Sequence, residues 1–230
     1  MTVKYKTLLF DADNTLFDFS LSERVAISKT MQSFGIKPTD DLILSYSAIN
    51  DLMWKKLERG EIEKSKLRTE RFAVFCEKHA FLIDCKKMAT TYTDFLSQQT
   101  FTINGMEELC RELCAHCDLY IITNGIKYVQ EARFAASCFV PYFKDIFISE
   151  AIGYEKPDIR YFDEVKKKIP DFSPQNTLVI GDSLTSDIAG AVTAGIDACW
   201  FNPQKLPNTK KLSITYTVTH PKDILPLVLV

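Results

Sequence analysis

The stretch Tyr5-Lys-Thr-Leu-Leu-Phe-Asp-Ala-Asp-Asn-Thr15 decides how the rest of the chain is read. A short apolar run, Tyr5 to Phe10, stops at Asp11, and a second carboxylate follows at Asp13. Apolar residues resume at Leu16 and Phe17, so the acidic turn is flanked on both sides by residues that seek burial. A strand that is apolar on both faces belongs inside a parallel sheet covered by helices. Acids at its carboxyl end then point to where ligands bind such a sheet. A bare pair of acids two apart is equally compatible with a solvated turn.

Working outward, other runs repeat the pattern. Leu119–Ile122 ends at Thr123, Ile146–Ile148 at Ser149, and Thr177–Ile180 leads through Gly181 to Asp182, with Ala198–Phe201 and Ile214–Val218 following. Helical stretches over 105–116, 126–138, 158–168, 185–194 and 222–228 alternate with them. This alternation predicts an α/β fold, a Rossmann-like three-layer core around a parallel sheet. One interval is too long: a crossover needs ~30 residues, yet Thr123 lies far beyond that from Asp11. The surplus has helical periodicity (Val25, Ile27, Met31, Phe34; Leu42, Ile43, Tyr46, Ile49, Leu52, Met53; Leu67, Phe72, Phe75, Cys76; Met88, Tyr92, Phe95, Leu96) with breaks at 35–38, 59–61 and 81–84. The expected organisation is a core of residues 1–17 and 98–230 and a small all-helical domain of residues 18–97 inserted after the first strand.

The bulk numbers narrow the class. The chain has 230 residues, 46% hydrophobic and 25% charged, with a net charge of −2, which argues against a binder of nucleic-acid polymers. Nowhere do 18 apolar residues run together, the N-terminal run is too short for a signal-peptide core, and the expected location is the cytoplasm. Seven cysteines, an odd number in strand-like and helix-like segments, read as reduced thiols. Cys110, Cys114 and Cys117 have the spacing of a three-cysteine iron–sulfur motif, but their segment is amphipathic and helical, so they are read as small packed residues.

Three further clusters sit at predicted strand ends. Thr123-Asn124-Gly125 opens a helix, and its hydroxyl and free N–H groups make either an anion site or an ordinary N-cap. In Gly153-Tyr-Glu-Lys-Pro-Asp158, Pro157 suits a first helical position and would hold Lys156 at a helix start. In Gly181-Asp-Ser-Leu-Thr-Ser-Asp187, the glycine permits close backbone approach, and Asp187 lies about one turn into a helix, where an acid also serves as a dipole partner. Four carboxylates in one crevice raise each other's pKa. A lysine and a hard divalent cation such as Mg²⁺ relieve that.

In this order, D-A-D-N-T, I-I-T-N-G, E-K-P-D and G-D-S-L-T-S-D resemble the four motifs of the haloacid-dehalogenase superfamily. The inserted segment is similar to that family's helical cap. The resemblance implies a Mg²⁺-dependent phosphomonoester hydrolase. Asp11 would be the nucleophile, Asp13 the proton donor and acceptor, and Thr123, Asn124 and Lys156 the holders of the phosphoryl group. Asp11, Asp13 (through its carbonyl) and Asp182 would hold the metal, with Asp187 acting through water or behind the ligands. Members that cleave carbon–halogen bonds lack the second acid, so Asp13 favours phosphoryl transfer.

The phrases Asn50–Ile62 and Leu67–Phe72 are similar to the cap of 5′-nucleotidases with pyrimidine preference. The implied partner is a small phosphorylated metabolite, a nucleoside monophosphate, with the enzyme a monomer or weak dimer and no membrane partner. Phe17, Phe19, Met53 and Trp54 are read as base-stacking residues or as core, and Arg71 as a substrate contact or as an ion-pair partner of a nearby glutamate. A phosphoglycolate or sugar-phosphate phosphatase, and a phosphate-binding regulatory module without turnover, are the alternatives.

Overall fold

The computed structural model describes residues 2–229. It divides into two compact units, one of residues 1–18 and 100–230 and the other of residues 19–99. The breaks fall one residue and two residues later than the periodicity alone suggests.

The chain starts with β1 (Thr7–Asp11) and then leaves the sheet for four helices, α1 (Phe19–Ser33), α2 (Asp40–Glu58), α3 (Lys64–Lys78) and α4 (Cys85–Ser97). It returns through α5 (Met106–Leu113), β2 (Asp118–Thr123), α6 (Lys127–Ala135), β3 (Phe143–Ile148), the short α7 (Ser149–Ile152) and α8 (Ile159–Lys168). Next come β4 (Thr177–Gly181), a π-helical turn at Leu184–Ile188 running into α9 (Ala189–Thr193), β5 (Asp197–Phe201), β6 (Tyr216–Val218) and α10 (Leu225–Val228).

The six strands form one parallel sheet in the order β3-β2-β1-β4-β5-β6. β1 is central and fully buried, because its side chains serve two cores in alternation. Leu8 and Phe10 face one layer with Leu119, Ile121, Leu178 and Ile180, under Met106, Leu109, Cys110 and Leu113 of α5. Leu9 faces the other with Ile122 and Val179, under Tyr161, Phe162 and Val165 of α8 and Ala191 of α9. A side chain pointing either way from β1 therefore meets hydrocarbon, and each such residue contributes ~1.5–3 kcal/mol on burial.

The helical unit has its own core. α1 lies against α2 and α4, and α3 against α2 and α4. Tyr46, Phe72 and Tyr92 meet at its centre with ring centroids 5.1, 5.2 and 5.4 Å apart. Thr39 caps α2 by accepting from the Leu42 N–H, and Asp84 caps α4 by accepting from the N–H groups of Lys86 and Lys87. Among the described residues no helix is long and apolar enough to cross a membrane.

Candidate active site

The sheet order fixes where a ligand-binding crevice opens. From β1 the chain builds one way through β2 to β3 and the other way through β4 to β6, so the switch lies between β1 and β4. Loops leaving adjacent strands in opposite directions leave a gap at the carboxyl ends of those strands. Asp11 ends β1, Thr123 ends β2, and Asp182 follows β4.

Asp11, Asp182 and Asp187 come together there, each offering a carboxylate oxygen within 4.8 Å of the others. Lys156 joins them. Its ammonium donates to Asp11 Oδ1 at 2.6 Å, to Asp187 Oδ1 at 2.7 Å and to the Ile122 carbonyl at 2.8 Å, which uses all three protons. The side chain is 1% exposed. Burial acts against the charged lysine, but Asp11 and Asp187 outweigh it and hold its pKa above the ordinary range.

One cation does not balance three acids. Burial first, then the Asp187 charge, push the Asp11 carboxyl up to about 8 against the pull of Lys156. Burial, Asp11 and Asp187 likewise raise Asp182 well above the usual carboxylate range. The cluster is thus short of positive charge, and its donors are hard oxygens, the chemistry that suits a small divalent cation. Asp187 is placed differently from the other two, since its Oδ1 takes Lys156 and its Oδ2 accepts the Ser183 N–H at 3.1 Å. With both oxygens engaged, it is better suited to fixing Lys156 than to binding a metal directly.

The backbone explains why these side chains converge. The turn after β4 is wider than an α-turn: the Ile188 N–H reaches back to the Ser183 carbonyl. Such π-turns re-aim side chains at functional sites. Periodicity had suggested a plain helix over 185–194. Gly181 makes the space, because a Cβ there would lie 2.3 Å from Asp187 Oδ2. Trp200 holds the same loop through Nε1, which donates to the Asp182 carbonyl at 2.8 Å.

The Lys156 loop corrects one expectation. Pro157 does not occupy the first turn of a helix: it follows a cis peptide bond, and Asp158 caps α8 by accepting from the Arg160 N–H. Lys156 is held instead by Asn124, whose side chain donates to the Lys156 carbonyl at 2.8 Å and accepts its N–H at 2.9 Å. That two-bond staple between the β2 and β3 loops has no signature in either motif read separately. Thr123 is buried, and its Oγ1 accepts the Gly125 N–H at 3.0 Å.

Asp13 does not join the carboxylate cluster. Gln130 Nε2 donates to its Oδ2 at 2.6 Å and Arg133 Nη1 to its Oδ1 at 2.5 Å, both from α6. Neither residue was singled out by the sequence; the available signal was a polar pair three apart on a helix directly after Thr123-Asn124-Gly125.

Of the candidate stacking residues, Phe17 is 1% exposed and packs edge-on against Phe139 with Arg133 over its ring, and Met53 is buried in the helical unit. Phe19 and Trp54 are half-buried. Arg71 donates to Asn50 Oδ1, and Asn50 in turn donates to Glu23, so the arginine and glutamate are linked through an amide. Cys110 and Cys117 are buried, and Cys114 is partly so. The three are not all on one helix as expected: α5 ends at Leu113, and the Cys114 and Cys117 N–H groups bond back to its last carbonyls.

An all-parallel sheet with this strand order, a helical insert after its first strand and acids converging at the switch point define a Rossmann-like α/β protein with a ligand site at the carboxyl ends of its strands. The chain belongs to the haloacid dehalogenase-like hydrolase family, whose profile matches residues 5–195. It is similar to the HAD-hydrolase YfnB of Bacillus subtilis, at 38% identity over 94% of this chain and 92% of that one. The crystal structure of that protein bound to magnesium superimposes with a TM-score of 0.94, covering 99% of this chain and 100% of the other. It is also similar to the pyrimidine 5′-nucleotidase PynA of Streptococcus pneumoniae (39% identity, 96% and 94% covered) and to the pyrimidine 5′-nucleotidase YjjG of Escherichia coli (25%, 94% and 95%).

Proposed function

We propose that this enzyme hydrolyses phosphate monoesters through an aspartyl-phosphate on Asp11, with Mg²⁺, and that its substrates are nucleoside 5′-monophosphates, pyrimidine ones in particular. The observation that carries the reading is a buried Lys156 fixed on Asp11 at 2.6 Å, beside Asp182 at the switch point of the sheet. The substrate class is supported by the two similar nucleotidases, and the metal by the magnesium in the YfnB structure.

A nucleophile needs an ionised oxygen aimed at phosphorus, and Lys156 supplies both orientation and charge to Asp11. An Asp11 oxygen forms the new P–O bond while the bond to the leaving alcohol breaks, and Asp13 passes its proton to that alcohol. Asp13 then takes a proton from a water whose oxygen attacks the phosphorus. The Asp11–phosphorus bond breaks, freeing inorganic phosphate and restoring both carboxyls. Thr123 and the Asn124 N–H bind the phosphoryl oxygens, and the Lys156 ammonium, fixed on Asp11, neutralises charge on the nucleophile and the transferring phosphoryl group. Asp11, the Asp13 carbonyl and Asp182 would hold Mg²⁺, which when bound offsets the negative charge shared by carboxylates and phosphate. Asp187 keeps Lys156 in place. The halide-releasing alternative needs no proton donor and leaves Asp13 without a task.

The test is phosphate release from a panel of 5′- and 3′-nucleotides, sugar phosphates and phosphoglycolate, with Mg²⁺ or a chelator, in the parent enzyme and Asp11→Asn. Selective, Mg²⁺-dependent release from pyrimidine 5′-monophosphates, lost in the variant, is the expected result. Release from sugar phosphates or phosphoglycolate alone would overturn the substrate class. Release that survives Asp11→Asn would overturn the mechanism.

A further inference from the structure

The carboxylate of Asp13 is gripped at both oxygens. Gln130 and Arg133, three apart and so on one face of α6, each donate to a different oxygen, at 2.6 and 2.5 Å. The grip is itself braced. Arg133 has no exposed surface, and its guanidinium lies 4.5 Å above the ring of Phe17. Phe17 closes the loop that carries Asp13: its N–H reaches the Ala12 carbonyl, and its carbonyl accepts the Asn14 N–H. Phe139 meets the Phe17 ring edge-on at 5.4 Å.

Room for the grip comes from Gly125. A Cβ on that residue would lie 2.0 Å from Gln130 Nε2 and 2.7 Å from Gln130 Cδ. Any other residue there must push the amide off Asp13, so the glycine of Thr123-Asn124-Gly125 serves the proton-transfer acid as well as the strand end.

Burying an arginine costs several kcal/mol in desolvation, and a purely structural contact at this place would be as well served by hydrocarbon. What the pair supplies that hydrocarbon cannot is a fixed direction. Two donors on two oxygens lock the plane of a carboxyl group, and each oxygen keeps a second lone pair on which a transferable proton can sit. We propose that Gln130 and Arg133 are positioning residues that hold the Asp13 carboxyl in line with the leaving oxygen, and that Gly125 is the space through which Gln130 reaches it. This rests on the reading that Asp13 transfers the proton.

The test compares kcat/KM, which extends only to departure of the leaving group. The two substrates are p-nitrophenyl phosphate, whose phenolate leaves without a proton, and the alkyl monophosphate turned over fastest in the panel. Gln130→Met and Gly125→Ala are expected to lower kcat/KM on the alkyl ester by about tenfold or more, up to the ~10²–10⁴-fold that general acid catalysis contributes in full, and on the aryl ester by less than about threefold. Arg133→Lys should recover part of what Arg133→Met loses. In an Asp13→Ala background, Gln130→Met and Arg133→Met should have no further effect. Equal losses on both esters, or a further loss in that background, would make the grip structural and overturn the proposal. If Arg133→Met does not fold, Gln130→Met and Gly125→Ala still decide. Failure of the parent reading looks different: Asp13→Ala itself would then slow both esters equally.

Discussion

Lys156 spends all three of its protons on Asp11, Asp187 and a carbonyl, and this makes it the residue on which the cluster balances. Removing one partner of a buried ion pair leaves an uncompensated charge, at a cost of about 3–5 kcal/mol. Lys156→Met should therefore lower the unfolding free energy of the metal-free protein in urea by that order, and an effect under ~1 kcal/mol would contradict this. Gly181→Ala should act on the same cluster from below, because its methyl would meet Asp187 Oδ2 at 2.3 Å. Both the Lys156 and Ser183 bonds to Asp187 would be strained, and a crystal structure of the variant should show the Asp187 side chain displaced. At this scale the sequence is informative about residue type and poor about partners. Asp11, Asp182, Asp187 and Lys156 stand at strand ends where the chemistry is legible. The amide of Asn124 and the donors of α6 meet their partners only after the strands align.

Among the elements, the four-helix insert shows how a buried polar group constrains a small core. Glu23 of α1 accepts from Ser47 and Asn50 of α2, at 2.6 and 2.7 Å, and Asn50 accepts from Arg71 of α3 at 2.8 Å. Three helices are thus tied through one amide that is 0% exposed. Asn50→Leu would leave one oxygen of Glu23 and one donor of Arg71 without that partner. At ~1–3 kcal/mol for each abandoned group, the insert should lose about 2–6 kcal/mol, read as an earlier step in thermal unfolding monitored at this unit. A single unchanged transition would contradict this. The helices themselves were legible, because apolar residues recur every three or four positions and breaks fall at Gly35, Gly60 and near Asp84. The π-turn at Leu184–Ile188 was not, since one extra residue in a turn leaves the local composition unchanged.

For the molecule as a whole, the clustered acids set how stability depends on pH. Asp11 has an ordinary value of 3.8 and is raised to about 8 in the fold. Between those values the unfolded chain has released its proton and the folded chain still holds it, so stability falls as pH rises through the window. Asp182 and the buried Glu23, raised chiefly by burial, act in the same direction. Lys156, whose pKa is raised, stays charged throughout this window and does not contribute to the slope. Metal-free protein should therefore melt at a lower temperature at pH 8 than at pH 5. A bound Mg²⁺ competes with those protons and so has a higher Kd at pH 5; at one Mg²⁺ concentration its stabilisation, ~2.7 kcal/mol where that concentration is a hundred times Kd, should be larger at pH 8 than at pH 5. A gain independent of pH would place the ion away from these carboxylates.

The central position of β1 also bears on how the chain is made. β1 finishes at Asp11, but its neighbours in the sheet are β2, ending at Thr123, and β4, ending at Gly181. A ribosome adding ~5–20 residues per second leaves this apolar strand without a partner for roughly 5–25 seconds before β2 is complete. During that interval α1–α4 can fold on local contacts, whereas the sheet cannot be started. Nascent chains stalled before residue 118 should bind chaperones through the N-terminal strand and release them once β2 has emerged.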